Sequence, residues 1–88
     1  MKAKYHDGEI VAVWWTDAWV YSGVMTVEEF RNVGEGRAML SVGLLVQDND
    51  SAILLAQDYY ISANKEMLVR DCMVIPKTYI DKMRKWKL

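Results

Sequence analysis

The stretch VAVWWTDAWVYSG, residues 11–23, decides how this fold must be built. Side chains of an extended strand alternate between two faces. The two sets here are Ile10, Ala12 and Trp14 on one side, and Val11, Val13 and Trp15 on the other. Both sets are apolar, although a chain of 88 residues has little interior in which to bury two sides of one strand. We therefore expect sister copies of the chain to cover the second face.

The composition indicates one folded domain over residues 1–88, because 52% hydrophobic and 26% charged residues are typical of globular chains. Every apolar run is far shorter than the roughly 18 residues of a membrane helix, so we expect no membrane partner. The N-terminal MKAKYHDGE turns acidic before the apolar segment of a secretory signal could form, which predicts a cytoplasmic protein. Cys72, the one cysteine, lies in an apolar run and is predicted to be a buried free thiol.

Charge is unevenly distributed along the chain, although the formal net charge is only -1. Acidic residues dominate from Asp7 to Asp58, whereas basic residues dominate from Lys77 to Leu88. The basic stripe has two interpretations: it contacts phosphates, or it is a solvated edge strand that lysines protect from aggregation. The overall balance is not the strongly basic one that is typical of nucleic-acid-coated domains.

Local signals predict a short helix after the first strand and its aromatic loop or hairpin. Thr26 followed three residues later by Glu29 is a capping box, so we expect a helix from Val27 to Val33. Phe30 and Val33 would give it a short apolar stripe, and Gly34 would end it.

The rest of the chain indicates extended structure. The segments RAMLSVGLLVQ and SAILLAQDYYIS flank the turn Asp48-Asn49-Asp50 and predict a hairpin. KEMLVRDCMVI, residues 65–75, is a further strand that Pro76 ends. The tail PKTYIDKMRKWKL fits an amphipathic helix or a strand after a tight turn, and we favour the strand. The predicted fold class is therefore mainly β: a small, strongly bent, five-stranded barrel with one short helix, since closure removes exposed edges.

No catalytic pattern is present in the sequence, so an enzyme and a cofactor are not expected. His6 lies in the turn-like YHDG, and Cys72 has no histidine near it in sequence. The Asp48-Asn49-Asp50 group offers oxygen ligands for a hard cation, but the same residues are typical of an ordinary hairpin turn. We predict no metal site.

The segment VIPKTYIDKM, residues 74–83, resembles the second signature of the Sm-like family, which includes the Lsm and Hfq proteins. Ile75, Ile80 and Met83 stand at the spacing of its aliphatic positions, and Lys77 coincides with a lysine of the Hfq version. Pro76-Lys77 replaces the Arg-Gly of the eukaryotic version, and Thr78 replaces the histidine of the Hfq version. The resemblance covers residues 37–88; the chain is also similar to small bacteriophage and marine metagenomic proteins, which implies no activity.

The Sm-like resemblance implies an SH3-like barrel that joins edge to edge into homo-oligomeric rings. The joining edges would be residues 66–75 and 80–88. It also implies RNA or single-stranded DNA as a partner at the ring pore, where two turns converge. The residues implied for nucleic-acid binding are Asp48, Asn49, Lys77, Thr78, Tyr79 and Arg84, although Tyr79 fits a core position equally well.

A different class of function fits the aromatic residues. Tryptophan and tyrosine are enriched in protein interfaces, so the chain is alternatively an interaction or oligomerisation module without nucleic-acid binding. The predicted interface residues are Trp14, Trp15, Trp19, Met73 and Trp86. The same rings also fit a role divided between the core and a contact with a sister subunit.

Overall fold

The computed structural model describes residues 8–18, 22–34 and 36–88. Its elements are β1 (Glu9–Asp17), α1 (Val27–Val33), β2 (Arg37–Asp48), β3 (Ala52–Ile61), β4 (Met67–Pro76), a 3-10 turn (Lys77–Tyr79) and β5 (Ile80–Lys87). The five strands are antiparallel and form one sheet in the order β4-β3-β2-β1-β5. The prediction of a mainly β fold with one short helix is confirmed. Nowhere in the described chain does a helix have the length and apolar character needed to cross a membrane.

The β2–β3 hairpin forms where it was predicted, around Asn49. The Asn49 side-chain Oδ1 accepts hydrogen bonds from the backbone N–H groups of Ser51 at 2.8 Å and Ala52 at 2.9 Å. The Asn49 backbone N–H donates to the Ala52 carbonyl at 3.1 Å. An asparagine side chain that accepts hydrogen bonds from the backbone two and three residues later in the chain closes a turn by itself. The turn could therefore be predicted from the local sequence.

The helix is also confirmed at its predicted bounds. The Thr26 hydroxyl accepts the Glu29 backbone N–H at 3.1 Å, and the helix ends at Gly34. Its expected apolar stripe is present but is not packed, because all seven residues of α1 are exposed.

The chain end is a strand, as favoured over a helix. After Pro76, the 3-10 turn reverses the chain, and β5 pairs along β1 from Glu9↔Lys87 to Trp15↔Ile80. The tail sequence fits both a helical and a strand pattern of apolar residues. The strand forms because the free edge of β1 supplies hydrogen-bond partners for it.

The bend of the sheet lies in β2, which pairs with a different strand along each of its two parts. Its first part, Arg37 to Leu44, pairs with β1, and its last part, Leu44 to Asp48, pairs with β3. A bulge between Leu45 and Gln47 shifts the register beside this change of partner. Bulges and bends are how one strand passes between two packed layers. The sheet therefore folds over itself at β2.

The core lies between the two layers that this fold creates. Val11 and Val13 of β1 pack against Ile53 and Leu55 of β3 and Ile75 of β4. Residues on one face of a single sheet bury one another only when the sheet is bent. Four partly buried side chains surround this cluster: Trp15, Leu45, Ile80 and Met83. The inner face of β1 is thus the Val11, Val13 and Trp15 set.

The link between β4 and β5 gives an independent measure of the bend. In a flat sheet, the two edge strands of five would lie about 19 Å apart, at about 4.8 Å per strand. The four chain steps from Pro76 to Ile80 span at most about 14 Å. The end of β4 therefore comes round toward the start of β5.

The sheet is nevertheless not closed, which differs from the predicted barrel. β4 and β5 stay unpaired edges. Residues 58–61 of β3 pair with residues 67–70 of β4 and not with β2, so this distal hairpin extends beyond the core. The prediction that Cys72 is buried is wrong: Cys72 is exposed on β4, whose outer edge pairs with no strand among the residues that the structure describes.

Candidate functional site

Two turns of the chain meet at a small charged group, the turn cluster, formed by Asp48, Lys77 and Lys85. Asp48 ends β2, Lys77 follows β4, and Lys85 lies on β5. Both lysine ammonium groups form ion pairs with the Asp48 carboxylate. The Lys77 backbone N–H also donates to the Ser51 carbonyl at 2.9 Å, so the hairpin turn and the 3-10 turn are joined.

The charge state of the turn cluster follows from these contacts. The hydrogen bonds from Lys77 and then from Lys85 hold the pKa of Asp48 below its ordinary value. At neutral pH the carboxylate is therefore ionised, and the cluster carries two positive charges against one negative charge. Because lysine ammonium groups occupy both carboxylate oxygens, Asp48 is a poor ligand for a hard cation. Within residues 8–18, 22–34 and 36–88, no group of three or more metal-ligating side chains comes together.

The residues implied for nucleic-acid binding divide between two places. Asp48 and Lys77 meet in the turn cluster, and Asn49 closes the adjacent hairpin turn. Thr78 and Tyr79 are exposed in the 3-10 turn. Arg84 lies elsewhere, with its guanidinium 5.2 Å from the ring centre of Trp86.

Lys85 was missed by sequence reasoning. It is one of four cations in β5, and only its register against Val11 turns it toward the inner side and Asp48. No local sequence signal carries that register, because β1 and β5 lie at opposite ends of the chain.

The second face of β1 forms the centre of a partly exposed surface that we call the outer patch, in which Ala12 is buried whereas Leu40 and Val42 of β2 are more than half exposed. The strand registers place alternate residues of β2, β1 and β5 side by side on it. Lys82 lies 4.9 Å from the ring centre of Trp14, which is a cation–π distance. The outer patch consists of Trp14, Leu40, Val42, Lys82, Arg84 and Trp86.

The predicted interface residues are also dispersed. Trp14 and Trp86 lie in the outer patch, and Met73 is exposed on β4. Trp15 packs against the core, and its indole N–H donates to the Ser41 hydroxyl at 3.0 Å. Trp19 lies outside the described residues.

Large apolar side chains remain on the surface of this chain. The accessible surface is 7148 Å², against about 5,300 Å² for a compact monomer of 10.2 kDa. The exposed apolar residues of the edge strand β4 are Met67, Val69, Met73 and Val74, and the chain end adds Trp86 and Leu88. Surface of this kind marks interaction sites.

Comparison with protein-family models, with curated proteins and with solved structures gives no match. The Sm-like resemblance therefore stays a prediction, and the function has to be argued from the two edges, the turn cluster and the outer patch.

Proposed function

We propose that this chain is a structural module whose copies join edge to edge, with β4 of one copy paired to β5 of the next. The observation that carries the proposal is the strand order, which leaves these two strands as the edges of the sheet. An edge strand presents unpaired backbone N–H and C=O groups, which a second strand satisfies.

Apolar exposure on β4 supports the pairing. Val74 is 63% exposed, and Met73 beside it is 39% exposed. Natural edges are usually protected by charge, by proline or by irregular backbone. β4 has its proline only at the last position, and its one left-handed residue, Asp71 at φ 53°, lies in the middle of the strand. The segment from Cys72 to Ile75 stays open to a partner.

Charge favours unlike edges over like edges. β5 carries four cations, Lys82, Arg84, Lys85 and Lys87, against the single acid Asp81. Two β5 strands side by side would place these cations against one another, which destabilises a sheet. A head-to-tail contact between β4 and β5 avoids that repulsion, and repetition of such a contact closes a ring when the rotation permits. The Sm-like resemblance implies this same arrangement, in which the ring completes the β ladder that the single chain leaves open.

We predict that Val74→Lys weakens assembly by about 2 kcal/mol per contact, roughly thirtyfold, because it removes a valine that the edge contact would bury and adds a cation beside the cations of β5. The unchanged protein should show a mass that is a multiple of 10.2 kDa by multi-angle light scattering, and the variant should dissociate at higher concentrations. Val24→Lys is the matched control, since Val24 is fully exposed and lies outside the strands. A 10.2 kDa monomer at high micromolar concentration would overturn the proposal.

Binding of single-stranded nucleic acid at the turn cluster is a second candidate function. It is favoured by the excess positive charge of Asp48, Lys77 and Lys85 and by the exposed ring of Tyr79 in the adjoining turn. Lysines track the phosphate backbone, and aromatic rings stack on bases. Asp48 weighs against it, because it holds both ammonium groups.

Asp48→Asn should therefore strengthen the binding of poly(U) or poly(dT) at low salt, because it releases two lysines. The slope of log K against log salt should steepen by about 0.7 for each additional phosphate contact. Asp58→Asn, which frees Arg70 in the distal hairpin, is the matched control. Unchanged tryptophan fluorescence and gel mobility of the unmodified protein with both polymers would exclude this function and leave edge pairing untouched.

A further inference from the structure

We infer that helix α1 of one copy docks on the outer patch of another copy. This contact uses none of the β4 edge, so it goes beyond the proposed edge pairing and is tested separately from it. The contact would bury two features that the described part of one chain leaves exposed: the apolar side of α1 and the outer patch of the sheet.

The helix lacks the packing that a helix of its length requires. In water, isolated helices shorter than about 12 to 15 residues are marginal, and most helices in proteins are held by packing of their apolar side. α1 has seven residues and a Thr26 cap, but none of them is buried. Val27 is 67% exposed and Phe30 is 55% exposed. Within the residues that the structure describes, nothing buries the apolar side of α1, and a surface on a second copy would supply that packing.

The chemistry of α1 defines what that surface must offer. Val27, Phe30 and Val33 recur at every third position, so they lie on neighbouring parts of the helix surface. Glu28 and Glu29 place two negative charges in the first turn and Arg31 places one positive charge in the last, so α1 is acidic overall, and Glu29 is the acid that borders the apolar residues. The complementary surface is apolar and carries cations at its margin.

The outer patch has that chemistry. Leu40 and Val42 are more than half exposed and supply the apolar area. Lys82 and Arg84 supply the cations, and neither forms an ion pair with any residue that the structure describes. No acidic residue occupies the alternate positions of β2, β1 and β5 that share this face. The Asp81 carboxylate adjoins the patch, where it accepts a hydrogen bond from the Thr16 hydroxyl at 2.9 Å.

A protein helix fits the outer patch better than a nucleic acid does. Bases stack on open aromatic faces, whereas Trp14 and Trp86 each have a cation over the ring. The aliphatic half of the patch, at Leu40 and Val42, offers nothing on which a base could stack. An acidic amphipathic helix instead buries those aliphatic groups and meets the cations, and α1 is such a helix.

Charge reversal on each side tests the contact. One copy carries Glu28→Lys with Glu29→Lys, and the other carries Lys82→Glu with Arg84→Glu. Each variant alone should lose association through this contact, because its helix and its patch then have the same sign. A one-to-one mixture should regain it, because each helix meets a patch of opposite sign. Sedimentation velocity measures the association, with Lys65→Glu, in the exposed β3–β4 turn, as the control for charge.

The experiment is repeated on a Val74→Asn background, which weakens edge pairing without adding a charge that the reversals on β5 could attract, so that failure of edge pairing and failure of the helix contact are distinguished. A mixture that does not regain association overturns the inference. The variant that carries all four reversals should also associate on its own, because its helix meets a patch of opposite sign on a second copy, and failure to do so overturns the inference as well. Loss of poly(U) binding without loss of association would show a nucleic acid on the patch instead.

Cross-linking keeps the test decisive if a charge variant fails to fold. With Cys72→Ser in both copies, Val33→Cys in one and Val42→Cys in the other should form an interchain disulfide under mild oxidation. Ile61→Cys in place of Val42→Cys should not. Equal cross-linking of both pairs would contradict a specific contact.

Discussion

Ile53→Ala should lower the free energy of unfolding by about 3 kcal/mol, the largest loss that we expect from any side-chain truncation in this chain. Ile53 is 0% exposed and belongs to the five-residue core with Val11, Val13, Leu55 and Ile75. Truncation removes three carbon atoms from the point where the two layers of the sheet meet, and the bent backbone cannot collapse into the space.

The small size of this core makes the loss serious. A chain of this length is stabilised by roughly 4 to 13 kcal/mol, so a loss of about 3 kcal/mol is a large fraction of the total. For a domain of this size, it corresponds to a fall in Tm of about 12 to 24 °C.

Thermal and urea unfolding, followed by circular dichroism at one fixed protein concentration, measure the effect, because assembly makes stability depend on concentration. Ile61→Ala is the matched control: the same substitution near the end of the same strand, at a side chain that is 39% exposed. It should cost less than about 1 kcal/mol. Equal losses for the two variants would show that the core is not where the structure places it.

Gly43→Val should cost about as much, for the opposite reason. A Cβ atom at Gly43 would lie 2.8 Å from Cδ1 of Leu55 and 2.9 Å from the carbonyl oxygen of Ala56. The leucine can rotate away, but the carbonyl belongs to the backbone of β3. The substitution therefore forces β2 and β3 apart at the bend, and overpacking of this kind costs about 1 to 3 kcal/mol or more.

Ala38→Val is the control for Gly43→Val, because Ala38 lies on the same strand with its side chain exposed. Its effect should stay within about 0.5 kcal/mol. Urea unfolding compares the two variants. If Gly43→Val is as stable as Ala38→Val, the close approach of β3 to Gly43 is wrong, and so is the explanation of the bend.

The parts of the fold that sequence predicted are those with local causes. The Asn49 turn, the Thr26 cap and the Gly34 helix end each depend on residues within four positions of one another. The strand after Pro76 was predicted from the alternation of residues along the tail, and this prediction is also confirmed.

The parts that sequence missed depend on distant residues. The change of pairing partner along β2 depends on the close approach of Ala56 to Gly43, which are distant in sequence. The distal hairpin likewise depends on how far β3 and β4 extend beyond β2. The exposure of Cys72 follows from the position of β4 at the edge of the sheet. An apolar pattern shows that a residue prefers burial, but not whether one chain can provide it.

The candidate site divides in the same way. The meeting of Lys77 with Asp48 agrees with the expectation that the two turns converge, whereas Lys85 enters that cluster only through the β1–β5 register. The separation of Arg84 from the turn cluster has the same origin, since Arg84 and Lys85 are neighbours on β5 and face opposite sides of the sheet.

The strand order also determines the order in which the strands pair during folding. β2, β3 and β4 follow one another in the chain and pair as successive hairpins, so they need only short loops to form. β1 and β5 come from opposite ends, and their ladder joins Glu9 to Lys87. Pairings between such remote residues are slow to form. On the ribosome, β1 is thus made first of these five strands and enclosed last, because its second neighbour, β5, is made after the other four.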